Sequence, residues 1–235
     1  MARISIEKLR CEFAIYGSNS RSLKNRVIAQ ATGGRIMSGA RDVVAVRALD
    51  DISLEIKDGD RIGLVGHNGS GKTTLLRVLA GIYKPAAGTI TIEGSLGAIL
   101  DPSAGMDPEA TGIENIYLRG HLLGMRRAEI ETAIPDIAEF TDLGDFLTLP
   151  MRTYSAGMAA RLAFGISTAT RHDILLMDEG IGAGDASFQD KAQKRIESLF
   201  ARTSIVILAS HSAELIDRYC NRRLQLERGK IVGEW

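Results

Sequence analysis

Apolar positions along this chain follow three kinds of spacing. Near the amino end they alternate with polar ones, as in Asp51-Ile52-Ser53-Leu54-Glu55-Ile56 and Gly88-Thr89-Ile90-Thr91-Ile92-Glu93-Gly94. A period of two puts one face of a strand on a core, so residues from about 3 to 95 read as a mainly antiparallel sheet. Other runs are apolar throughout: Arg61-Ile62-Gly63-Leu64-Val65, Gly97-Ala98-Ile99-Leu100, Asp173-Ile174-Leu175-Leu176-Met177 and Ser204-Ile205-Val206-Ile207-Leu208-Ala209-Ser210. Such runs suit strands of a parallel sheet buried on both faces. From about 107 to 170 the pattern is helical. Thr111-Gly112-Ile113-Glu114 is a capping box in front of Ile116, Tyr117 and Leu118, which predicts a helix start. The remaining residues alternate strand and helix and are expected to complete a parallel core. The pattern predicts an α/β fold.

Between the strand at 61–65 and a helix over Thr74–Ala80 lies Gly66-His67-Asn68-Gly69-Ser70-Gly71-Lys72-Thr73-Thr74. It satisfies G-x-x-x-x-G-K-[ST], the phosphate-cradling loop of nucleotide triphosphatases. Small residues let successive backbone N–H groups converge on phosphate oxygens, and the following helix aims its positive end at them. Lys72 is placed to reach the β- and γ-phosphates, and the Thr73 hydroxyl to sit on Mg²⁺. A second chemical feature closes the apolar run at 173–177, which ends in Asp178-Glu179. Parallel sheets place ligands at the carboxyl ends of their strands. There Asp178 can hold Mg²⁺ through its water shell, and Glu179 can orient or deprotonate an attacking water. Standing alone, a strand ending in Asp-Glu is more often just a strand meeting a helix cap; combined with the phosphate loop, the catalytic reading is the better one.

Tyr154-Ser155-Ala156-Gly157-Met158 lies between these motifs and leads into Ala159-Ala160-Arg161-Leu162-Ala163-Phe164. With it the chain resembles the ATP-binding cassette (ABC) ATPases, whose signature is L-S-G-G-Q followed by a helix carrying an Arg where Arg161 stands. The order also matches: phosphate loop, signature, Asp-Glu strand, an aspartate loop at Gly182-Ala183-Gly184-Asp185, then a switch histidine at His211. The resemblance runs from about residue 4 to the end. It implies a P-loop NTPase fold with a RecA-like parallel core, an antiparallel β subdomain and an α-helical signature subdomain, in one nucleotide-binding domain over 1–235. It also implies a homodimer that sandwiches two ATP molecules with Mg²⁺. Gly66, Asn68, Gly69, Ser70, Gly71, Lys72, Thr73 and Thr74 would cradle one nucleotide, while Ser155 and Gly157 face the γ-phosphate held by the other subunit. Asp185 would tie the composite sites together. Lys72, Glu179 and His211 would carry the catalysis, and Phe13 or Tyr16 would stack on adenine.

Departures from the general pattern narrow the resemblance. The signature reads Y-S-A-G-M, and no glutamine follows the strand at 97–100. Instead the segment runs Asp101-Pro102-Ser103-Ala104-Gly105-Met106-Asp107-Pro108-Glu109-Ala110-Thr111-Gly112-Ile113-Glu114-Asn115-Ile116. This resembles the subfamily that exports bacterial surface polysaccharides (O-antigen, capsule and teichoic acid), as does Gly184-Asp185-Ala186-Ser187-Phe188. Asp101 falls where that subfamily has an acidic residue, which makes it a third metal candidate beside Thr73 and Asp178. The resemblance implies ATP hydrolysis coupled to export of a lipid-linked glycan. It also implies a membrane permease in a two-plus-two complex and a place on the cytoplasmic face of the inner membrane. A soluble ABC ATPase of translation or DNA maintenance is the alternative, although such proteins usually carry two cassettes or a long coiled-coil insertion. A non-hydrolysing cassette is disfavoured by the presence of Lys72, Asp178, Glu179 and His211.

Composition sets limits. The 235 residues carry 29 basic and 29 acidic side chains, and this zero net charge disfavours a protein that binds nucleic acid by neutralising its phosphates. Cys11 and Cys220 stand far apart and suggest neither metal site nor disulfide framework. No apolar run is long enough to span a bilayer, the start lacks the apolar core of a secretion signal, and no appended ligand-binding domain is expected after Trp235. One stretch stays open. Residues 17–47 hold Arg21, Lys24, Arg26, Arg35, Arg41 and Arg47 against the single acid Asp42, with a candidate amphipathic helix at Ser22–Ala29. This basic excess either meets anionic headgroups or a glycan pyrophosphate, or is a solvated hairpin excursion.

Overall fold

A computed structural model of the chain describes residues 1–16, 36–38, 43–178 and 186–235. Two sheets share one hydrophobic cluster, and a helical layer is built around a cluster of its own. The antiparallel sheet holds β1 (Arg3–Tyr16), β2 (Ile36–Ser38), β3 (Val43–Lys57) and β5 (Ala87–Glu93) in the order β2-β3-β1-β5. The second sheet has β4 (Arg61–Val65), β6 (Leu96–Ile99), β7 (Ile174–Met177), β8 (Ile205–Ala209), β9 (Arg222–Glu227) and β10 (Lys230–Glu234), in the order β10-β9-β4-β8-β7-β6. All its pairings are parallel except β9–β10.

Alternation in the first sheet is read out directly as burial. Ile4 and Ile6 of β1 face Ile56 and Leu54 of β3 on one side, and Ile92 and Ile90 of β5 on the other. The parity then slips. Lys8 takes a left-handed φ of 48° where the register shifts, and the buried positions move from Ile4 and Ile6 to Leu9 and Cys11. The buried row closes over α1 (Lys72–Leu79), whose Leu75, Leu76 and Leu79 join Ile62 and Leu64 of β4 in the same cluster.

The helical layer holds α2 (Gly112–Leu122), α3 (Arg127–Thr141) and α4 (Ala156–Ala169). As the sequence suggests, Thr111 caps α2: its Oγ1 accepts from the Glu114 amide at 3.2 Å, and the Glu114 carboxylate accepts from the Thr111 amide at 2.7 Å. Glycines bring the helices close. A Cβ on Gly120 of α2 would stand 2.7 Å from Ile130 of α3, and one on Gly165 of α4 would stand 2.9 Å from Thr141 of α3. Helix α4 also packs on α2 and on α5 (Ala186–Ala201), which joins this layer to the parallel core. Helix α6 (Ala213–Tyr219) follows β8.

The carboxyl end of the chain departs from the expected parallel core. β9 and β10 form an antiparallel hairpin that turns at Arg228 and Gly229, with left-handed φ of 48° and 79°. A two-residue turn can reverse the chain but cannot return it in parallel. Among the described residues no helix is long and apolar enough to cross a membrane.

Candidate nucleotide site

Four parallel strands end side by side, and each delivers a candidate residue. In the order β4, β8, β7, β6, their carboxyl ends lead into the phosphate loop, His211, Asp178 and Asp101. Leu64 of β4 pairs with Ala209 of β8, Leu208 with Met177 of β7, and Met177 with Ile99 of β6, so the ends stand nearly level. Neighbouring strands lie about 4.8 Å apart, so the four ends span roughly 15 Å, a width that suits a nucleotide triphosphate and its metal.

The phosphate loop is held in shape by its glycines and by the β9–β10 hairpin. Gly66, Gly69 and Gly71 take φ of 148°, 74° and 116°. A Cβ on Gly66 would collide with the Leu226 carbonyl of β9. The Gly229 amide donates to Ser70 O at 2.8 Å, and Ser70 N donates to His67 O at 3.1 Å. Lys72 is almost fully buried, and its Nζ donates to Gly66 O at 2.7 Å and His67 O at 3.4 Å. The ammonium therefore sits over the loop that would take the phosphates. Gly71 is the N-cap of α1, and no side chain caps that helix. The first-turn amides are left for an anion, and Thr73 and Thr74 lie half-buried in that turn. Asn68 and Gly69 are exposed, while Ser70 is fully buried with an Oγ that has no hydrogen-bond partner among the described residues.

Asp178 follows β7 directly and is half-buried, and its amide donates to Ile99 O at 3.1 Å. That bond fixes the end of β7 against the end of β6 and brings Asp101 to the same edge. Asp101 is exposed. Its Oδ1 accepts from Ser103 N at 3.0 Å and Ser103 Oγ at 2.7 Å, which holds its carboxyl below the usual aspartate range. One oxygen thus closes a turn, and the other is not used in it. His211 is exposed between β8 and α6.

The signature residues stand apart from this edge, on the helical layer. Ser155 caps α4, its Oγ accepting from Met158 N at 3.2 Å. Ala156 is the first helical residue, so replacing a glycine there requires no left-handed backbone. Gly157 is in the first turn, where a Cβ would meet only Ser155 Oγ, at 3.9 Å. Glu179, Asp185 and the rest of 179–185 lie outside the described residues, as does 17–35 with the candidate helix at Ser22–Ala29. Of the aromatic candidates, Phe13 is half-buried and meets Tyr83 edge to face, with ring centroids 5.0 Å apart. Tyr83 in turn accepts a hydrogen bond from Arg77 of α1 at 3.0 Å. The Tyr16 side chain is outside the described residues.

Sequence pattern missed three contributors: Tyr83 beside Phe13, the Gly229 brace under the loop, and the polar pair Asn115 and Arg119. Only the last left a signal. The buried stripe of α2 falls on Gly112, Asn115, Ile116, Arg119 and Gly120, and two of those five positions are polar.

A strand edge headed by a phosphate loop, on a parallel core with a separate helical layer, is the fold of a P-loop NTPase. Comparison with known proteins carries this to the family. Residues 49–182 match the ABC transporter family model. The chain is 47% identical to the O-antigen export system ATP-binding protein RfbE of Yersinia enterocolitica, over all of this chain and 98% of that protein. It is 33% identical to the teichoic acids export ATP-binding protein TagH of Listeria monocytogenes, over 97% of this chain and 65% of that protein. Among solved structures, an ATP-binding subunit of an ABC transporter superposes with a TM-score of 0.72 at 18% identity, over 99% of this chain and 89% of that one. A dimeric ATP-binding cassette in a post-hydrolysis state, bound to ADP and Pi, gives 0.70 at 18%, over 99% and 97%. The chain belongs to the ABC transporter family.

Proposed function

We propose that this protein is the ATP-hydrolysing subunit of an exporter that moves a lipid-linked surface polysaccharide across the bacterial inner membrane. The observation that carries the reading is the end-to-end match to an O-antigen export subunit, joined to a strand edge built for a triphosphate. Two copies work as a homodimer, peripheral on the cytoplasmic face, with two permease subunits.

In this reading the phosphate loop binds ATP through its amides and Lys72. Thr73 and Asp178 offer the hydroxyl and carboxylate oxygens that Mg²⁺ prefers, with Asp101 as a further candidate. When bound, the ion supplies neutralisation of charge on the transferring phosphoryl group. Glu179 orients the attacking water and accepts its proton, while Lys72 and His211 stabilise the growing charge. Ser155 and the α4 amides meet the γ-phosphate held by the partner copy, and Asp185 links the two sites. Phe13 or Tyr16 contacts the adenine.

The permease is expected to seat on the helical layer. A groove of about 780 Å³ opens between α3 and the turn from α4 into β7, its charged lining made of Arg171, Arg195, Arg202, Asp136 and Glu129, the last paired with Arg126. Asp136 takes both arms of Arg195, while Arg171 and Arg202 are exposed with no ion pair among the described residues. A partner segment bearing carboxylates would match this charge.

The test is a mild-detergent pull-down of tagged Glu179→Gln protein from native membranes with ATP, followed by mass spectrometry. The variant should hydrolyse at least ~100-fold more slowly and trap an ATP-bound dimer. Recovery of a polytopic permease and a glycolipid is the expected result. Recovery from the soluble fraction with ribosomes or DNA, and no membrane subunit, overturns the reading.

A further inference from the structure

Helix α2 carries two buried polar side chains one turn apart on its inner face: Asn115, fully buried, and Arg119, 4% exposed. We infer that they are positioning residues, which bind the loop from Asp101 to Thr111 to the body that carries Ser155, so that the β6 end of the nucleotide edge and the amino end of α4 move as one unit. The inference rests on the proposed role of Ser155 at the partner's nucleotide and adds residues that no motif assigns.

Arg119 holds the first half of the loop. Its Nη2 donates to Asp101 O at 3.1 Å and its Nη1 to Ala104 O. The same guanidinium reaches Ser167 Oγ in the last turn of α4, from Nη2 at 3.1 Å and from Nε at 3.4 Å. Ser167 Oγ in turn donates a hydrogen bond to Ala163 O at 2.7 Å, so the hydroxyl is fully used. Asn115 holds the second half. Its Oδ1 accepts from Asp107 N at 2.7 Å, and its Nδ2 donates to the carbonyls of Asp107, Ala110 and Thr111 at 2.9, 3.2 and 3.0 Å. The far end of this loop pairs with the segment just before the signature: Met151 N donates to Ala110 O at 2.9 Å, and Arg152 N to Pro108 O at 2.8 Å. Two separate routes therefore join Asp101 to α4, one through Ser167 and one through 150–152.

The energetics argue against mere filling of space. Burial lowers the Arg119 pKa, and Asp101 is the acid that works against that shift. The guanidinium bonds neutral acceptors rather than a carboxylate, where an apolar side chain of similar length would avoid the desolvation cost. Between β6 and α2 the chain has no regular structure, so its shape depends on these bonds.

The test uses the full-length protein. ATP affinity is read without Mg²⁺ from a fluorescent analogue, dimer formation by light scattering in the Glu179→Gln background with ATP, and kcat per binding-competent site in the wild-type background. Arg119→Met should leave ATP affinity within about twofold, weaken dimerisation at least ~10-fold and lower kcat by a similar factor. Arg119→Lys should recover part of both, and Ser167→Ala should lose about threefold or more. A purely structural arginine lowers thermal stability and the competent fraction, which the normalisation removes. The inference is overturned if Ser155→Ala is defective while Arg119→Met matches wild type. Should Arg119→Met not fold, wild-type dimerisation and kcat in Ser167→Ala overturn it instead. If Ser155→Ala itself behaves as wild type, the sandwich reading fails, and this inference fails with it.

Discussion

The hydroxyl of Tyr154 fills the space that a side chain on Gly112 would need. Tyr154 Oη donates to Phe146 O at 2.6 Å, and a Cβ added to Gly112 would collide with that oxygen while standing 3.0 Å from Leu147 Cα. Tyr154 immediately precedes Ser155, so the first residue of α2 sets where the signature begins. Gly112→Ala should destabilise the protein by about 1–3 kcal/mol through overpacking. Tyr154→Phe should cost about 1 kcal/mol for the lost hydrogen bond. Because deleting the hydroxyl makes room for the methyl, the double variant should be less destabilised than the sum. Urea denaturation of the four proteins checks this, and simple additivity would show that the two residues do not share the space.

Lys72 and His211 follow the neighbouring strands β4 and β8 but should fail in different ways. Lys72→Ala removes the ammonium over the loop and should weaken ATP binding by about tenfold or more, with kcat/KM falling at least ~100-fold. His211→Ala should leave ATP affinity within about twofold and lower kcat. Equilibrium binding and steady-state ATPase measurements on the same preparations separate the two. Equal loss of affinity in both would contradict the division of roles.

The cationic groove gives a prediction about assembly. Arg171→Glu with Arg202→Glu should reduce co-purification of the membrane subunit at least ~10-fold, yet leave ATPase of the isolated protein within about twofold. Retained co-purification would place the docking surface elsewhere. Binding that weakens with added salt would agree with charge pairing in the groove.

His172 provides a pH dependence with a definite sign. Its ring packs on Gly97 of β6, where a Cβ would collide with it, and burial pushes its pKa below the ordinary 6.5, with the Asp173 carboxylate acting in the other direction. The fold thus prefers the neutral ring, whereas the unfolded chain protonates it as pH drops past 6.5. The contribution is full above the unfolded value and is lost as pH falls through the folded one. Denaturation midpoints measured from about pH 7.5 to about pH 5 should decline, and His172→Gln should make that decline shallower. An unchanged slope would assign the dependence to other groups.

Much of the site was legible because its parts obey local rules. The phosphate loop needs glycines at left-handed positions and a Lys-Thr pair at a helix start, and 66–74 spells these out in order. The capping box at Thr111 and Glu114 is likewise a matter of four consecutive residues. Less was legible where the pattern was interrupted. Period-two reading of β1 cannot show the shift at Lys8, because a single left-handed residue exchanges the faces of everything beyond it. Phe13 was visible as a candidate aromatic for the nucleotide, but its partner Tyr83 was not, since seventy residues separate them in sequence.

By itself, then, the order of residues determined which chemical groups this protein possesses, where the phosphate loop and the helix capped at Thr111 fall, and the family to which it belongs, since these follow from short-range spacing. Tertiary structure alone decided which groups meet. Strand order sets β4, β8, β7 and β6 side by side, although their sequence order is β4, β6, β7, β8, and so aligns the phosphate loop with His211, Asp178 and Asp101. It also places Gly229 beneath Ser70 and turns Arg119 inward onto Ser167. The physical reason is that hydrogen bonds and packing across the core are set by distance in space, and a linear pattern records only distance along the chain.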